Sequence, residues 1–462
     1  MESQTPGAAR HSEKLAEFAT SLSRTNVPAR VFTQAQACFI DSIGCGLFGA
    51  KQSWGEMMAD NTLAEGGAGQ CTLLGRRQTV APAPAALVNG TAIHGFELDD
   101  IIVGALVHPG SVVVPAALAA AEYADVSGLR LLLGVIAGYE AMARLSLALG
   151  VEPAQRGFHM TPIVGPIAAA FAAGVTLSLT PDKLLAAIGL ACSASSGIKS
   201  FAGGSGGGMV KRMHAGRSAE AGVRMCQLAE RGFTGPRAAL DGKFGLLEVF
   251  GGSTASAERL TEELGSRWAT DAVWVKHYPM CGGIHSAVQV LQQLRGDAAL
   301  ETGDIKKVRI GTSRYAVKNN GNPAPLDTMG AQYSIPYCAA AALLANPRDP
   351  AAFSDRAITN PITRELANRI DLYVDEQAEA AYPNQMGARV ELHLRSGEVR
   401  TSMAFDAHGT PADPCTDAER KEKFRRLASA AKPSAAIDRV LDVANQLEQL
   451  SSVRALSEAL RS

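Results

Sequence analysis

The feature that most constrains the fold is an almost wholly apolar run, LLLGVIAGYEAMARLSLALG, at residues 131–150. Its length is about what a helix needs to cross a bilayer. However, Glu140 and Arg144 lie inside it at i, i+4 spacing, where they can pair on one helix face. This favours a buried helix over a membrane span. A second run, at residues 159–174, is also apolar on all sides, so both helices must be covered by other helices or by a second subunit. We therefore expect a large helical bundle and a homodimer, with no membrane partner.

Helical spacing of Ala, Leu and Gly continues from Glu13 to about residue 265. Several helix starts are marked by capping residues. Thr180 and Thr161 each precede a proline, which predicts an N-cap followed by proline at the first helical position. Thr416 is followed three residues later by Glu419, which predicts a capping box at the start of a C-terminal helix.

The hydrophobic period changes after about residue 270. The segments IKKVRIGTSRYAV (305–317), RIDLYVDE (369–376) and ARVELHLRSGEVRTSMAF (388–405) alternate as strands do, with helical signals between them. This pattern predicts a mainly α protein. Its large helical domain is discontinuous in sequence (1–269 and 407–462), and its smaller α/β lid domain spans residues 270–406.

Composition excludes several classes of function. The 44 Lys and Arg residues balance 45 Asp and Glu residues, so no global positive field favours a nucleic-acid partner. The eight cysteines form no C-x-x-C pair and no H-E-x-x-H motif occurs, so we expect free thiols and no metal site. The first nineteen residues lack the apolar core of a secretory signal, which favours a cytoplasmic protein.

Cationic residues are concentrated directly after the glycine-rich stretch FAGGSGGGM at residues 201–209. Lys211, Arg212, His214 and Arg217 fall within seven residues. A phosphate-binding loop requires G-x-x-x-x-G-K followed by Ser or Thr, and this spacing fails that test. A flexible loop over a cavity is the favoured interpretation.

Four further stretches place polar residues in apolar sequence. They are HGFELDD (94–100), VHPGS (107–111), GFHMTP (157–162) and KHYPMCGGIHSA (276–287). Each alone has a structural explanation, such as a core histidine or a helix cap. Together they carry acids, imidazoles and ammonium groups that buried helices must pair or hydrate. Convergence on one cavity satisfies all of them.

These stretches occur in an order that resembles the MmgE/PrpD family over nearly the whole chain. The resemblance implies a homodimer, a helical domain interrupted by an α/β lid domain, and an active site between them that needs no cofactor. Members of this family include 2-methylcitrate dehydratase, cis-aconitate decarboxylase and an epimerase of iminodisuccinate, so the implied substrate is a small polycarboxylate.

The resemblance also implies roles for individual residues. The expected catalytic residues are His108, His159, Lys211, Lys276 and Tyr337. The expected substrate-binding residues are Glu97, Asp99, Asp100, Arg212 and His214.

One departure bears on the reaction. Family members that dehydrate or decarboxylate commonly have D-x-D-D-T where this chain has Glu97 to Ile101, so a hydroxyl is missing. We expect a lyase that removes water, or less readily carbon dioxide, from a di- or tricarboxylate such as a 2-methylcitrate-like acid. The alternatives are an epimerase of a small dicarboxylate, which the missing hydroxyl favours, and a carboxylate-binding protein without catalysis. The sequence leaves open which group is the general base and which the general acid.

Overall fold

A computed structural model describes residues 10–203, 206–296 and 301–462. Residues 1–9, on which part of the targeting prediction rests, lie outside the described residues. So do Gly204 and Ser205 of the glycine-rich stretch. Residues 10–269 and 407–462 are called the helical region below, and residues 270–406 the sheet region.

Helices make up most of the helical region. Its first ten are α1 (Arg10–Ser21), α2 (Ala29–Gly49), α3 (Ser53–Glu65), α4 (Pro82–Ile93), α5 (Gly110–Ala124), α6 (Gly128–Leu149), α7 (Glu152–Gln155), α8 (Met160–Thr176), α9 (Pro181–Cys192) and α10 (Met209–Glu230). Three two-residue strands lie between them: β1 (Cys71–Thr72), β2 (Thr79–Val80) and β3 (Ile101–Ile102).

The two apolar helices predicted from the sequence, α6 and α8, form the centre of this region. Helix α8 packs against α6, α5 and α10, and every one of its residues is buried within the chain. Gly134 permits close approach, because a Cβ there would lie 2.0 Å from Thr176 Oγ1. The coverage comes from the chain's own helices, so it requires no second subunit, and the homodimer stays a prediction.

Helix α6 has the length and composition of a membrane span, but 94% of its most apolar window is buried in the protein. The buried Arg144 Nε donates to Glu140 Oε2 at 3.0 Å, and its guanidinium also donates to backbone carbonyls at Glu262 and Arg267. Glu140 also accepts from the amide of Ala269. Because the pair has protein partners on both sides, α6 is a core helix, as predicted.

The sheet region contains one four-stranded sheet and several short helices. The sheet order is β6-β5-β7-β8, with β5 parallel to β6 and antiparallel to β7. The strands are β4 (Val273–Trp274), β5 (Ile305–Thr312), β6 (Ile370–Val374), β7 (Ala388–Leu394) and β8 (Val399–Ala404). The helices are α11 (His285–Arg295), α12 (Arg314–Asn319), α13 (Thr328–Gln332), α14 (Ile335–Leu344), α15 (Asp355–Ile358), α16 (Pro361–Ala367) and α17 (Glu376–Ala381). The three segments predicted to alternate as strands therefore contain β5, β6 and the pair β7 and β8. The mainly α fold is confirmed.

Two chain segments connect the regions. At the first, β4 pairs with β3 of the helical region, with Ile101 opposite Trp274. After β8 the chain returns to α18 (Asp417–Ala428), α19 (Ser434–Asn445) and α20 (Arg454–Arg461). Helix α18 packs on α2, where buried Lys423 Nζ lies 2.8 Å from Asp41 Oδ1. The C-terminal helices thus lie against the N-terminal ones, while the exact domain boundaries stay a prediction.

Capping predictions are confirmed at two of three sites. Thr180 caps α9 by accepting from Lys183 N, and Thr416 forms a capping box with Glu419 at α18. Thr161 does not cap α8, which begins at Met160. Its hydroxyl instead accepts a 3.2 Å hydrogen bond from the amide of His108. This prediction was wrong because a partner distant in sequence takes the hydroxyl.

Candidate active site

Glu97 is a buried acid that lies between two ammonium groups. It follows α4 and has a left-handed backbone, with φ of 58°. One carboxylate oxygen contacts the Lys211 ammonium of α10, and the other lies 3.4 Å from Lys276 Nζ, next to β4. All three side chains are buried. Burial alone raises the pKa of Glu97, but the two ammonium groups hold this pKa well below its usual range. Glu97 is therefore ionised at neutral pH.

Asp99 lies between two imidazoles. Its Oδ2 is 2.6 Å from His94 Nδ1 and 3.3 Å from His108 Nδ1, while Oδ1 lies 4.0 Å from Lys276 Nζ. Despite burial, the neighbouring imidazoles hold the pKa of Asp99 well below its usual range. Burial, reinforced by Lys211, lowers the pKa of His94 to about 3. Asp99 thus orients the neutral His94 ring by accepting from its Nδ1–H, while His108 Nδ1 lies 3.3 Å from the same oxygen.

A second histidine pair lies beside the first. His159, the residue before α8, and His214 of α10 place their Nδ1 atoms 3.0 Å apart. Burial, followed by the Lys211 charge, lowers the pKa of both rings, to about 4 for His214. A bond between two Nδ1 atoms needs one N–H and one lone pair, so these rings have opposite tautomers at neutral pH.

These groups border one cavity of about 120 Å³ between the two regions. From the helical region it is lined by Glu97, Ile101, Leu106, Ala154, Phe158, Met160, Lys199, His108 and His159. From the sheet region it is lined by Cys281, Gly282, Gly283, Thr312, Ser313, Tyr315, Ala316, Asn320, Tyr333, Tyr382 and Met386. The arrangement combines a fixed carboxylate with two imidazoles that can exchange protons with a small bound molecule.

The structure brings seven of the ten predicted residues together at or behind this cavity. They are Glu97, Asp99, His108, His159, Lys211, His214 and Lys276. Contrary to the expectation of direct substrate contact, both lysines stand behind Glu97 rather than in the cavity wall.

Three predicted residues have other surroundings. The Tyr337 hydroxyl donates to the carbonyl of Ala352 at 2.6 Å, so it is engaged away from the cavity. Arg212 is stacked on Trp54, 3.7 Å from the ring centroid.

Asp100, the third of them, accepts from Tyr139 Oη at 2.6 Å and from the amide of Gly110 at 2.8 Å. Burial raises the pKa of Asp100 to about 7. It supports the start of α5, which follows the His108 loop.

Sequence reasoning missed four residues of the wall: Tyr333, Tyr315, Lys199 and Cys281. Tyr333 lies over Lys211, whose Nζ is 5.6 Å from the ring centroid. It lies between α13 and α14, whereas Tyr337 lies within α14, and no sequence signal distinguishes the two. Cys281 lies inside a motif that the sequence analysis had singled out, so a closer inspection of that motif could have found it.

A metal ion was not expected in this site. The donor atoms of His94, Asp99 and His108 lie within 4.8 Å of one another, so these three residues could ligate one. Within this group Asp99 accepts from His94 Nδ1 at 2.6 Å, whereas His94 Nε2, His108 Nδ1 and Asp99 Oδ1 have no hydrogen-bond partner among the described residues.

Comparison with known proteins now decides the family. The model of the MmgE/PrpD N-terminal domain matches residues 13–258, and that of the MmgE/PrpD C-terminal domain matches residues 278–449. The chain belongs to the MmgE/PrpD family. The resemblance noted from the sequence is thereby confirmed.

Similar proteins of this family include cis-aconitate decarboxylases. A cis-aconitate decarboxylase-like protein, oryM of Aspergillus oryzae, is 29% identical over 96% of this chain and 95% of its own length. The cis-aconitate decarboxylase of Aspergillus terreus is 27% identical, with 97% and 95% covered. The human enzyme of that name is 26% identical, with 94% and 90% covered. Both MmgE/PrpD domains are therefore shared with these relatives end to end.

Proposed function

We propose that this protein is a lyase that releases carbon dioxide from a small tricarboxylate of the cis-aconitate type and uses no cofactor in that step. The observation that carries the proposal is the meeting of His108, His159 and the ionised Glu97 at one cavity. The names of the similar proteins favour decarboxylation over the dehydration that the sequence analysis ranked first. The MmgE/PrpD fold supplies the remaining support.

The protonation states of the two imidazoles explain how the cavity would bind an anion. His108 and His159 are buried among cations, and burial lowers the pKa of both rings, so they are neutral. A substrate carboxylate placed against them supplies the missing negative charge and raises their pKa. The Lys199 ammonium and the Ser313 hydroxyl, on opposite sides of the cavity, add donors for further carboxylates.

The proposed reaction needs one proton transfer. The bond between a carboxylate carbon and the substrate skeleton breaks, carbon dioxide leaves, and the electron pair delocalises into the neighbouring unsaturated carboxyl group. A protonated imidazole, His108 or His159, then donates a proton to carbon, and water replaces that proton on the ring. The tricarboxylate and one proton thus become a dicarboxylate and carbon dioxide. The fixed positive groups behind Glu97 stabilise charge that develops in the transition state.

Elimination of water and epimerisation are the alternatives from the sequence analysis. Ile101 forms part of the cavity wall, where the common family pattern has a threonine, so the apolar wall is extended at that point. Both alternatives would use the same two imidazoles. Dehydration needs a base at one carbon and an acid at the hydroxyl that leaves the next carbon, whereas epimerisation needs a base and an acid on opposite faces of one carbon. The products separate the three reactions.

The experiment supplies the full chain, in deuterated water, with cis-aconitate, 2-methylcitrate and iminodisuccinate in parallel, and follows each by NMR. From cis-aconitate we expect carbon dioxide and a dicarboxylate that carries one new C–D bond. A new alkene without carbon dioxide would establish dehydration instead, and label without net conversion would establish epimerisation. No change in any substrate would overturn the lyase proposal.

A matched pair of variants ties the result to the cavity. His159→Gln removes a ring at the cavity, whereas His393→Gln removes one on β7, where His393 Nε2 lies 3.2 Å from Glu391. Loss of turnover in the first variant alone supports the assignment.

A further inference from the structure

A second group of potential metal ligands lies outside the cavity, where the sheet region joins the helical region. His277 follows β4 in the first connecting segment, and His408 and Cys415 lie in the second, between β8 and α18. These three residues are called the crossover cluster. His277 lies 138 residues before Cys415 in the sequence. No motif therefore connects them, and only the fold reveals the group.

The donor atoms of the crossover cluster converge. His277 Nε2 lies 3.0 Å from Cys415 Sγ, and the rings of His277 and His408 are stacked with centroids 4.9 Å apart. One donor atom from each residue falls within 4.8 Å of the others. His277 is 1% exposed and Cys415 7%. The two buried donors are thus fixed, while half-buried His408 connects them to solvent.

Two carboxylates complete the surroundings through His408. Asp413 Oδ1 lies 3.1 Å from its Nδ1, and Glu419 Oε1 lies 3.0 Å from its Nε2. The other oxygen of Glu419 is held by the capping box with Thr416. One ring nitrogen can therefore face a metal beside the half-exposed Asp413, while Glu419 orients the ring through the other nitrogen, as second-layer carboxylates commonly do.

We propose that His277, His408 and Cys415 form a structural zinc site, and that Asp413, whose Oδ1 lies 3.1 Å from His408 Nδ1, turns to the bound metal as its fourth ligand. Two imidazoles, a thiolate and a carboxylate are a four-ligand set that Zn²⁺ accepts in tetrahedral geometry. The thiolate disfavours Mg²⁺ and Ca²⁺, which prefer oxygen ligands. The thiolate and the carboxylate together offset the charge of a divalent cation. On binding, the Cys415 thiol releases its proton to water, and a sulfur–zinc bond replaces the sulfur–hydrogen bond.

The position of the site defines its effect. The amide of Val275 donates to the carbonyl of Gly409 at 3.0 Å, so the two connecting segments already touch here. Zinc would cross-link them through side chains. Lys276 lies between Val275 and His277 and points to Glu97, on the other side of the same extended segment. The metal therefore also immobilises the segment that carries Lys276. This proposal does not depend on which reaction the cavity performs.

The first test measures how much zinc the full chain retains. The chain is produced without a polyhistidine tag and is first stripped of metal with a chelator. Zn²⁺ is added back at one equivalent, unbound metal is removed, and zinc is determined by mass spectrometry. Co²⁺ is titrated in parallel, because a thiolate ligand gives a charge-transfer band and tetrahedral Co²⁺ gives intense visible bands. We expect one zinc per chain and both cobalt signals. Added Mg²⁺ should not displace the zinc, because it does not compete for a thiolate site.

Variants locate the metal. Cys415→Ser should lose the cobalt charge-transfer band and retain less than a tenth of the zinc. Cys226→Ser is the matched control, because its buried thiol donates to the Ala170 carbonyl at 3.2 Å, a bond that serine can make. It should keep full stoichiometry. If Cys415→Ser does not fold, Asp413→Asn and His408→Gln, at less buried positions, decide the outcome by reduced zinc retention.

Stability gives an independent readout. A ligand that binds only the folded chain raises its melting temperature. Zinc should therefore raise Tm for the wild type and Cys226→Ser but not for Cys415→Ser or Asp413→Asn. Absence of retained zinc and of the charge-transfer band in the wild type would overturn the proposal. Zinc retained equally by all the variants would also overturn it, by placing the metal elsewhere.

Discussion

The two walls of the cavity differ in chemistry although they enclose the same space. The wall from the helical region carries Glu97, His108 and His159, supported from behind by buried charges. The wall from the sheet region is formed by neutral groups, among them Tyr315 and Tyr333. Removing water from charged groups is costly, so the charged wall must be paired in advance, as Glu97 is with Lys211 and Lys276, whereas the neutral groups that line the sheet wall lose water at a smaller cost.

This contrast assigns different tasks to the two regions. In the proposed reaction, the helical wall would supply proton transfer and charge stabilisation, because packing on α8 and α10 fixes its groups. The sheet wall would supply enclosure and recognition. Substitutions in the first should change kcat, and substitutions in the second should change KM.

The largest effect is expected for His159→Gln. Loss of a positioned acid or base commonly reduces rate by about 10²–10⁴-fold, and we expect a fall in kcat of that order with the fold retained, measured by steady-state assay and circular dichroism. His393→Gln should retain wild-type kcat. A His159→Gln enzyme within about threefold of the wild type would show that the charged wall does not perform the proton transfer.

The next effect concerns stability. Lys211→Met leaves Glu97 with Lys276 as its remaining ammonium partner, and breaking a buried pair costs about 3–5 kcal/mol. We expect a loss of that order in urea unfolding. The double variant Glu97→Gln/Lys211→Met should recover part of it, because no buried carboxylate is then left half-paired. An unchanged unfolding midpoint in Lys211→Met would mean that the Glu97 pairing is not stabilising.

The helical wall should also impose a pH dependence on folding. The pKa of His94 is lowered to about 3 and that of His214 to about 4, so the unfolded chain binds more protons below pH 6.5, the ordinary pKa. Their stabilising contribution is complete above pH 6.5 and is lost as pH falls towards 4, by at most about 1.4 kcal/mol per pH unit for each ring. Unfolding measured from pH 7 to 4.5 should show this slope, and His214→Gln should reduce it.

Asp100 provides a control of opposite sign. Its pKa is raised to about 7, so its ionisation costs stability as pH rises from 3.8 towards 7. Asp100→Asn, which can still accept from the Gly110 amide, should therefore make stability rise more steeply with pH in that range. Identical slopes in the wild type and both variants would contradict the pKa shifts.

The smallest effect is expected on the sheet wall. Tyr315 lines the cavity and its hydroxyl contacts Lys199 Nζ. Burial raises the pKa of Tyr315 to about 12, so this group stays protonated and can donate. Losing one such bond costs about 0.5–1.5 kcal/mol. We expect Tyr315→Phe to raise KM by about two- to tenfold with kcat unchanged. A fall in kcat with KM unchanged would move Tyr315 into the group that acts on the transition state.

Hydrophobic period predicted the fold well because it reports local burial. The change of period near residue 270 located the strands, and the buried pair of Glu140 and Arg144 marked α6 as a core helix. The failure at Thr161 has a different origin. A hydroxyl before a proline suits an N-cap, but the nearby His108 amide was an equally good donor that only the fold could bring within reach.

The candidate site was predictable as a set of residues but not as a set of contacts. The motifs supplied the cations of α10, whereas pairing of Lys211 with Glu97 spans 114 residues. The sequence therefore suggested that the lysine would hold a substrate carboxylate, when a carboxylate of the protein already occupies it. The crossover cluster was missed for the same reason, because His277 lies 138 residues from Cys415 along the chain.

The bond between Thr161 and the His108 amide has one more consequence. His159 immediately precedes the same helix, so both rings of the cavity are anchored to the first turn of α8, a helix buried along its whole length. The two rings therefore form one preorganised unit whose spacing is set when the chain folds. Groups that are positioned before a substrate binds need little reorganisation during a chemical step.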